Sequence, residues 1–167
     1  MKRESKLMYY LSIAILIFCF TVNAQEKDSL KVVSLVKQTM ELLEKKEYEK
    51  SRDTADRILK IDNSCSLAYI LLGNIYAKYA WECSTNISEF NVMEWSLIYC
   101  LSFDMFEKAK QLDVSRTKNV DNTIRIYLNY LPTEEELFIP NDLHGKELRI
   151  DGWVDRKTKF RRRSETE

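Results

Sequence analysis

The chain is poor in the residues that punctuate turns and build familiar active sites: of 167 residues three are Gly, two are Pro, one is His and four are Cys. So little Gly and Pro disfavours a turn-rich β-sandwich and excludes a collagen-like chain. A single His, with no glycine-rich phosphate loop and no paired-Cys motif, leaves few parts for catalysis or for zinc. Charge of one sign is also missing, since 26 basic residues face 26 acidic ones. No global field is available to hold nucleic acid, and no nucleic-acid partner is expected. What is present is apolar: 45% of the residues are hydrophobic and 11% aromatic. That is enough to bury one core, and a helical protein is the expectation.

Lys2, Arg3 and Lys6 precede an uncharged, largely apolar run from Leu7 to Val22. This is the pattern of an export signal, and Val22-Asn23-Ala24 places cleavage between Ala24 and Gln25. The run is shorter than the ~20 residues that span a bilayer, although an uncleaved anchor is the alternative reading. Cys19 follows Phe18 inside the run, which argues against a lipid-modified Cys. The expected address is the periplasm or the outer membrane, with membrane attachment only if the segment is retained. Cleavage leaves 23 basic and 25 acidic side chains and three cysteines, Cys65, Cys83 and Cys100. One disulfide plus a free thiol, or three buried thiols, both satisfy that count.

Beyond the signal, Val32, Leu35, Val36, Thr39, Met40 and Leu43 recur at three-and-four spacing and predict a helix over 29–45. Tyr48 to Ile61 predicts a second, ended by Asp62-Asn63-Ser64. A third begins near Ser64 and is apolar nearly all round, so it is expected to be the most buried element.

Tyr69-x2-Leu72-Gly73-x2-Tyr76 in this third segment resembles the first-helix pattern of the tetratricopeptide repeat, a helix-turn-helix unit of about 34 residues. Small Gly73 permits close approach of the paired helix while Tyr69 and Tyr76 fill the space between helices. In the same phase a repeat starts at Val32, and Glu47-Tyr48 falls where the family enters its second helix. Tyr99-x2-Ser102-x3-Phe106-x2-Ala109-x2-Leu112-Asp113 is similar to the family's second-helix signature. Tyr76 and Tyr99 are 23 positions apart where the family has about 6, which leaves 17 residues in excess. The expectation is two longer helices joined by a loop near Ser84 to Ser88, the return helix capped by Ser88 or Asn91. Trp81, Phe90, Met93 and Trp95 flank this insertion; packing is favoured for them over an exposed contact patch. Thr117 opens a third repeat with Val120, Ile124, Tyr127, Leu128 and Leu131 in a stripe, ended by Pro132 and followed by a short capped turn from Thr133 to Phe138.

Two and a half repeats need a cover. Residues 139–163 are expected to supply it as a β-hairpin, with one strand to about Val154, a turn at Asp155-Arg156-Lys157-Thr158 and a second strand from Lys159 to Arg163. Ile150, Trp153 and Phe160 would pack on the last helix. The predicted organisation is therefore a signal peptide (1–24), an all-α tetratricopeptide-like domain (25–138), a β-hairpin cap (139–163) and a tail (164–167). The terminal Gly-Trp segment after such helices is similar to that of small exported bacterial tetratricopeptide proteins, a likeness that implies no reaction.

His144 beside Gly145 reads as a turn residue rather than a general base, and Glu134-Glu135-Glu136 as helix-start decoration rather than a metal site. Neither catalysis nor a cofactor nor a metal is expected. The resemblance implies instead a binding groove lined by first-helix residues: Val33, Val36, Met40, Leu43 and Glu44; Leu67, Ile70, Asn74, Ala77 and Lys78; Lys118, Asp121, Arg125, Leu128 and Asn129. The family's carboxylate clamp is not expected, because Val36 and Met40 stand at its early positions, Asn122 replaces its Arg, and Lys118 alone is in register. An amphipathic partner helix, this protein's own chain or another copy would each fit an apolar groove. Lys157, Lys159 and Arg161-Arg162-Arg163 read as a solvated hairpin edge, with a site for acidic envelope glycolipid or an acidic protein patch as the alternative. The functional expectation is a scaffold or adaptor of the bacterial envelope that binds a protein or peptide. An accessory subunit, or an enzyme with an unrecognised site, is the rival.

Overall fold

A computed structural model of the chain describes residues 28–85, 92–131, 133 and 143–163. Helix α1 covers 28–44 and buries Leu35, Thr39 and Leu43 on one side. It closes with Lys46 in the left-handed region, φ 60°, while Lys46 N donates to Leu43 O and Glu47 N to Leu42 O. That pair of bonds satisfies carbonyls the helix would otherwise leave open, with Lys in the place glycine usually takes. Helix α2, Tyr48–Ile61, buries Ser51, Thr54, Ala55 and Ile58. Ser51 Oγ donates to Thr39 O at 2.8 Å and so ties α2 back onto α1.

The Asp62 carboxylate accepts from Ser64 N at 2.9 Å and Ser64 Oγ at 2.6 Å, a turn that launches α3, Ser66–Thr85. Helix α4, Val92–Leu112, then packs along α3. The insertion is thus taken up largely as extra helix, as expected; residues 86–91, including Ser88, Phe90 and Asn91, lie outside the described residues. Asp113 repeats the Asp62 device by accepting from Ser115 N at 3.1 Å, and the single turn Val114–Arg116 leads into α5, Thr117–Leu128. Helix α5 packs on α4 through buried Val120 and half-buried Ile124, Tyr127 and Leu128.

The tightest contact between helices is at Gly73. A Cβ there would lie 2.6 Å from Phe106 Cε1, inside any tolerable carbon separation, so only hydrogen fits beneath that ring. The expectation that α3 is the most buried element needs correction. Helix α4 is buried at least as fully, with ten buried residues against nine, because it lies between α3, α5 and the hairpin.

Strands β1, Glu147–Ile150, and β2, Arg156–Lys159, pair antiparallel with Glu147 opposite Lys159 and Ile150 opposite Arg156. The hairpin is where it was expected, but its turn is 151–155 rather than Asp155 to Thr158, and β2 ends before the Lys159 to Arg163 stretch has run. Gly152 at φ 72° and Asp155 at φ 40° carry the reversal, so Trp153 and Val154 sit in the turn and not in a strand. Its seat also differs from the last helix: the strands lie on α4, and the turn reaches α2 and α3. Ile150, Val154 and Phe160 join one continuous core with α3 and α4. The described part of the chain is therefore mostly helical with one small antiparallel sheet. Residues 1–27, 134–142 and 164–167, on which the expected signal segment, most of the expected Thr133 to Phe138 turn and the tail fall, lie outside the described residues.

Candidate functional site

The expected groove residues fall into three groups. Val36, Leu67 and Ile70 are half-buried against the two core clusters, and Leu43 and Ala77 are buried, so helix packing consumes most of the apolar upper groove. Val33 and Met40 on α1 and Lys78 on α3 are exposed, as is Glu44. On α5, Lys118, Asp121 and Arg125 are exposed and Leu128 is half-buried, and Asn129 just beyond the helix is exposed. Asp121 pairs with Lys110 of α4, Arg125 Nη2 donates to Asn122 Oδ1 at 3.1 Å, and Asn129 O accepts from Arg163.

Between α3 and α5 lies a pocket of about 320 Å³ lined by Asn74, Trp81, Thr123, Ile126, Tyr127 and Tyr130. Asn74 is an expected groove residue and Trp81 is the aromatic residue from the insertion. The α5 contribution is the neighbouring stripe, Thr123 to Tyr130 at three-and-four steps, rather than Lys118, Asp121 and Arg125. Helix α5 is turned this way because Tyr127 stacks on Phe106, with centroids 6.2 Å apart and planes within 9°. Trp81 is 49% exposed, Ile126 57% and Tyr130 46%, so the packing expected for the insertion's aromatic flank holds for half-buried Met93 and Trp95 but not for Trp81. Buried Tyr99 braces the wall from behind, its ring 6.1 Å from Tyr127 and 6.0 Å from Tyr130. Its hydroxyl has no hydrogen-bond partner among the described residues, and burial pushes its pKa up. Burial likewise raises Tyr127, with a further contribution from Tyr130.

A second constellation, which the sequence reading missed, fixes the hairpin to the opposite helices. Arg52 of α2 donates to Trp153 O, and its guanidinium lies 5.5 Å from that ring's centroid. Arg156 of β2 pairs with Asp56 and donates through Nε to Tyr76 Oη at 3.1 Å. Thr158 donates to Asp104 Oδ2 at 2.6 Å, while Arg161 reaches the other oxygen at 2.7 Å, so one α4 carboxylate serves both. Arg161 also donates from its backbone N to Cys100 Sγ and from Nη1 to Cys100 O. These contacts correct the view of the basic cluster as a solvated edge: Arg161 and Arg163 are anchors, and Lys157 pairs with Glu147 across the strands. The buried Thr158 between two exposed lysines was the one legible signal. Two hollows lie beside the hairpin: one of about 510 Å³ is edged by Asp53, Asp56, Arg57, Lys60 and Arg156, and one of about 340 Å³ is lined mostly by apolar side chains, among them Tyr79, Leu97, Ile98 and Trp153.

Tyr48 and Tyr79 meet toward the far end of α3 with centroids 5.4 Å apart and ring planes tilted by 49°, and Tyr69 Oη donates to Asn63 O at 3.4 Å. Cys65, Cys83 and Cys100 are free thiols in this structure, and only Cys83 and Cys100 of the three are buried. Burial pushes the Cys100 thiol up to about 12. His144 is exposed. Among the described residues no group of three His, Cys, Asp or Glu comes together to hold a metal ion. No helix of these residues is long and apolar enough to cross a membrane. No family model, curated protein or solved structure matches the chain.

Proposed function

We propose that the chain is an exported, non-catalytic scaffold of tetratricopeptide-like helix pairs that binds a protein or peptide across the face formed by α1, α3 and α5. The observation that carries this reading is the exposure of Val33 and Met40 on α1, Trp81 on α3, Ile126 on α5 and Tyr130 just beyond it, with a pocket between α3 and α5. Exposed apolar groups mark an interaction surface where they lie together as one patch, which is the arrangement proposed here. The repeat reading draws support from the paired Asp-x-Ser turns. Asp62 and Asp113 are 51 positions apart, which is one repeat of about 34 residues plus the insertion. Gly73 under Phe106 is the close approach that the resemblance requires. Among the described residues the hairpin's contacts run to α2, to α4 and, through Trp153, to Tyr76 and Tyr79 of α3.

Export stands on residues 2–24 and places the scaffold in the envelope. The test uses the full chain as bait in the native cell, with mass spectrometry of its N-terminus and of its partners. A partner retained by wild type and by Asp53→Lys on the hairpin side, but lost on Ile126→Glu, supports the reading. Retention by every variant, or a partner lost only with the hairpin-side change, overturns it.

A further inference from the structure

We infer that the outer edge of β1 is a self-association site, at which β1 of a second copy of this chain pairs antiparallel across a two-fold axis at Leu148. The hairpin is a sheet of two strands, so each strand keeps one outer edge. Phe160 N donates to Lys146 O, which makes Lys146 and Phe160 a hydrogen-bonded pair and fixes the alternation along the ladder. Leu148 and Ile150 therefore turn their backbone groups to β2, while the N–H and C=O groups of Glu147 and Arg149 point away from it. Among the described residues no strand pairs with that edge. β2 lies on the helix side instead: Thr158 donates to Asp104, Arg156 pairs with Asp56, and Arg161 N donates to Cys100 Sγ.

Charge selects the edge and the register. β2 carries Lys157 and Lys159 at its outer edge, so two copies of β2 would oppose lysine to lysine. β1 carries one charge of each sign. With Leu148 opposite its own copy, Glu147 faces Arg149 of the second copy and Arg149 faces Glu147 of the second copy. Sliding by two residues in either direction opposes like charges. The backbone agrees with this register, because it makes Glu147 and Arg149 the hydrogen-bonded residues and brings the two half-buried Leu148 side chains together at the closer, non-hydrogen-bonded position. Within one hairpin Arg149 stands opposite Lys157, a like-charge pair, and the second copy sets a carboxylate on its other side. Glu147 also reaches Lys157, and Arg149 reaches Asp155; both are exposed pairs of small individual worth, so they do not compete strongly with the new ones. Pairing closes the open edge and converts a marginal two-stranded unit into a sheet of four strands. The interface is small, so the dimer is weak.

Sedimentation equilibrium of the purified protein from roughly 10 μM to 1 mM, the range of weak association, tests this. A reversible monomer–dimer equilibrium is expected. Glu147→Arg or Arg149→Glu alone weakens it about tenfold, because the two-fold axis turns both cross-pairs into like-charge pairs at once. Mixing the two singly changed proteins restores association as a heterodimer, in which every cross-pair again has opposite signs. Leu148→Cys in a Cys65→Ser background forms an intermolecular disulfide on mild oxidation. Lys157→Cys in the same background does not, since it lies three strand spacings, about 14 Å, from its copy. Circular dichroism confirms that each variant is folded. A monomer at every concentration, a dimer indifferent to both charge changes, or a dimer lost on Ile126→Glu instead overturns the inference. A monomer that still captures a cellular partner through Ile126 would leave the scaffold reading standing while this inference falls.

Discussion

Replacing Gly73 by Ala asks one question of the whole helical layer. Alanine in a helix interior gains about 0.5 to 1 kcal/mol over glycine when it has room. Here the new methyl would meet three atoms of the Phe106 ring at 2.6, 2.7 and 2.8 Å. That ring is fully buried and backed by Tyr127, so it cannot swing away without disturbing α5. Overpacking of this kind costs roughly 1 to 3 kcal/mol, which exceeds the helix gain. The expected net loss is about 1 to 2 kcal/mol, or a fall in Tm of about 3 to 8 °C for a chain of this size. Calorimetry of the purified protein reads this directly. Phe106→Leu should relieve the clash, so in that background Gly73→Ala becomes neutral or stabilising, and the cycle shows a coupling of about 1 kcal/mol or more. A higher Tm for Gly73→Ala alone would refute the reasoning, because it would mean α3 and α4 do not approach as closely as drawn.

Other positions separate other contributions. Gly152→Ala has open space around its new methyl but must hold φ near 72°; the cost is conformational, about 1 to 2 kcal/mol in a thermal melt, and Gly152→Asn should cost less. Asp104→Ala strips Thr158 and Arg161 of their shared acceptor; a loss of about 1 kcal/mol is expected, low in the usual range because the carboxylate stays partly in water. Alkylation of the native protein at pH 8 should label half-buried Cys65 and spare Cys83 and Cys100 until denaturant is added. The folded Cys100 thiol titrates near 12 against 9.0 without burial, so the unfolded chain loses that proton first. Stability from this group is then complete below about pH 9 and falls as pH rises toward 12; buried Tyr76 and Tyr99 act in the same direction. Rising stability across that window in chemical denaturation would contradict the burial assigned to these groups.

Local signals carried the helices well. The three-and-four spacing from Val32 to Leu43, the break at Glu44 to Glu47 and the Asp62-Asn63-Ser64 stop placed α1 and α2, and the Tyr76 to Tyr99 excess correctly became extra helix. Each of these is a statement about neighbours in sequence. The hairpin turn was misplaced because Trp153 and Val154 look like strand residues locally. What puts them in a turn is the left-handed φ of neighbouring Gly152 together with a distant partner, Arg52, under the Trp153 ring. The anchoring set of Arg52, Asp56, Asp104, Arg156, Thr158 and Arg161 was illegible for the same reason, since its partners are 54 to 101 positions apart. The pocket was half legible. Asn74 and Trp81 were singled out, whereas the α5 stripe depends on how Phe106 orients Tyr127, which spacing along α5 cannot reveal.

The central claim is that one face of this molecule binds and the other is occupied by the hairpin. Site-specific photocrosslinking in the native cell tests it most directly, with the photoreactive residue placed at Ile126 or Met40 on the open face and at Asp53 or Lys157 on the hairpin side. The account predicts crosslinks to one recurrent protein from the first pair and none from the second. Crosslinks from the hairpin side alone, or equal labelling from both, would contradict it.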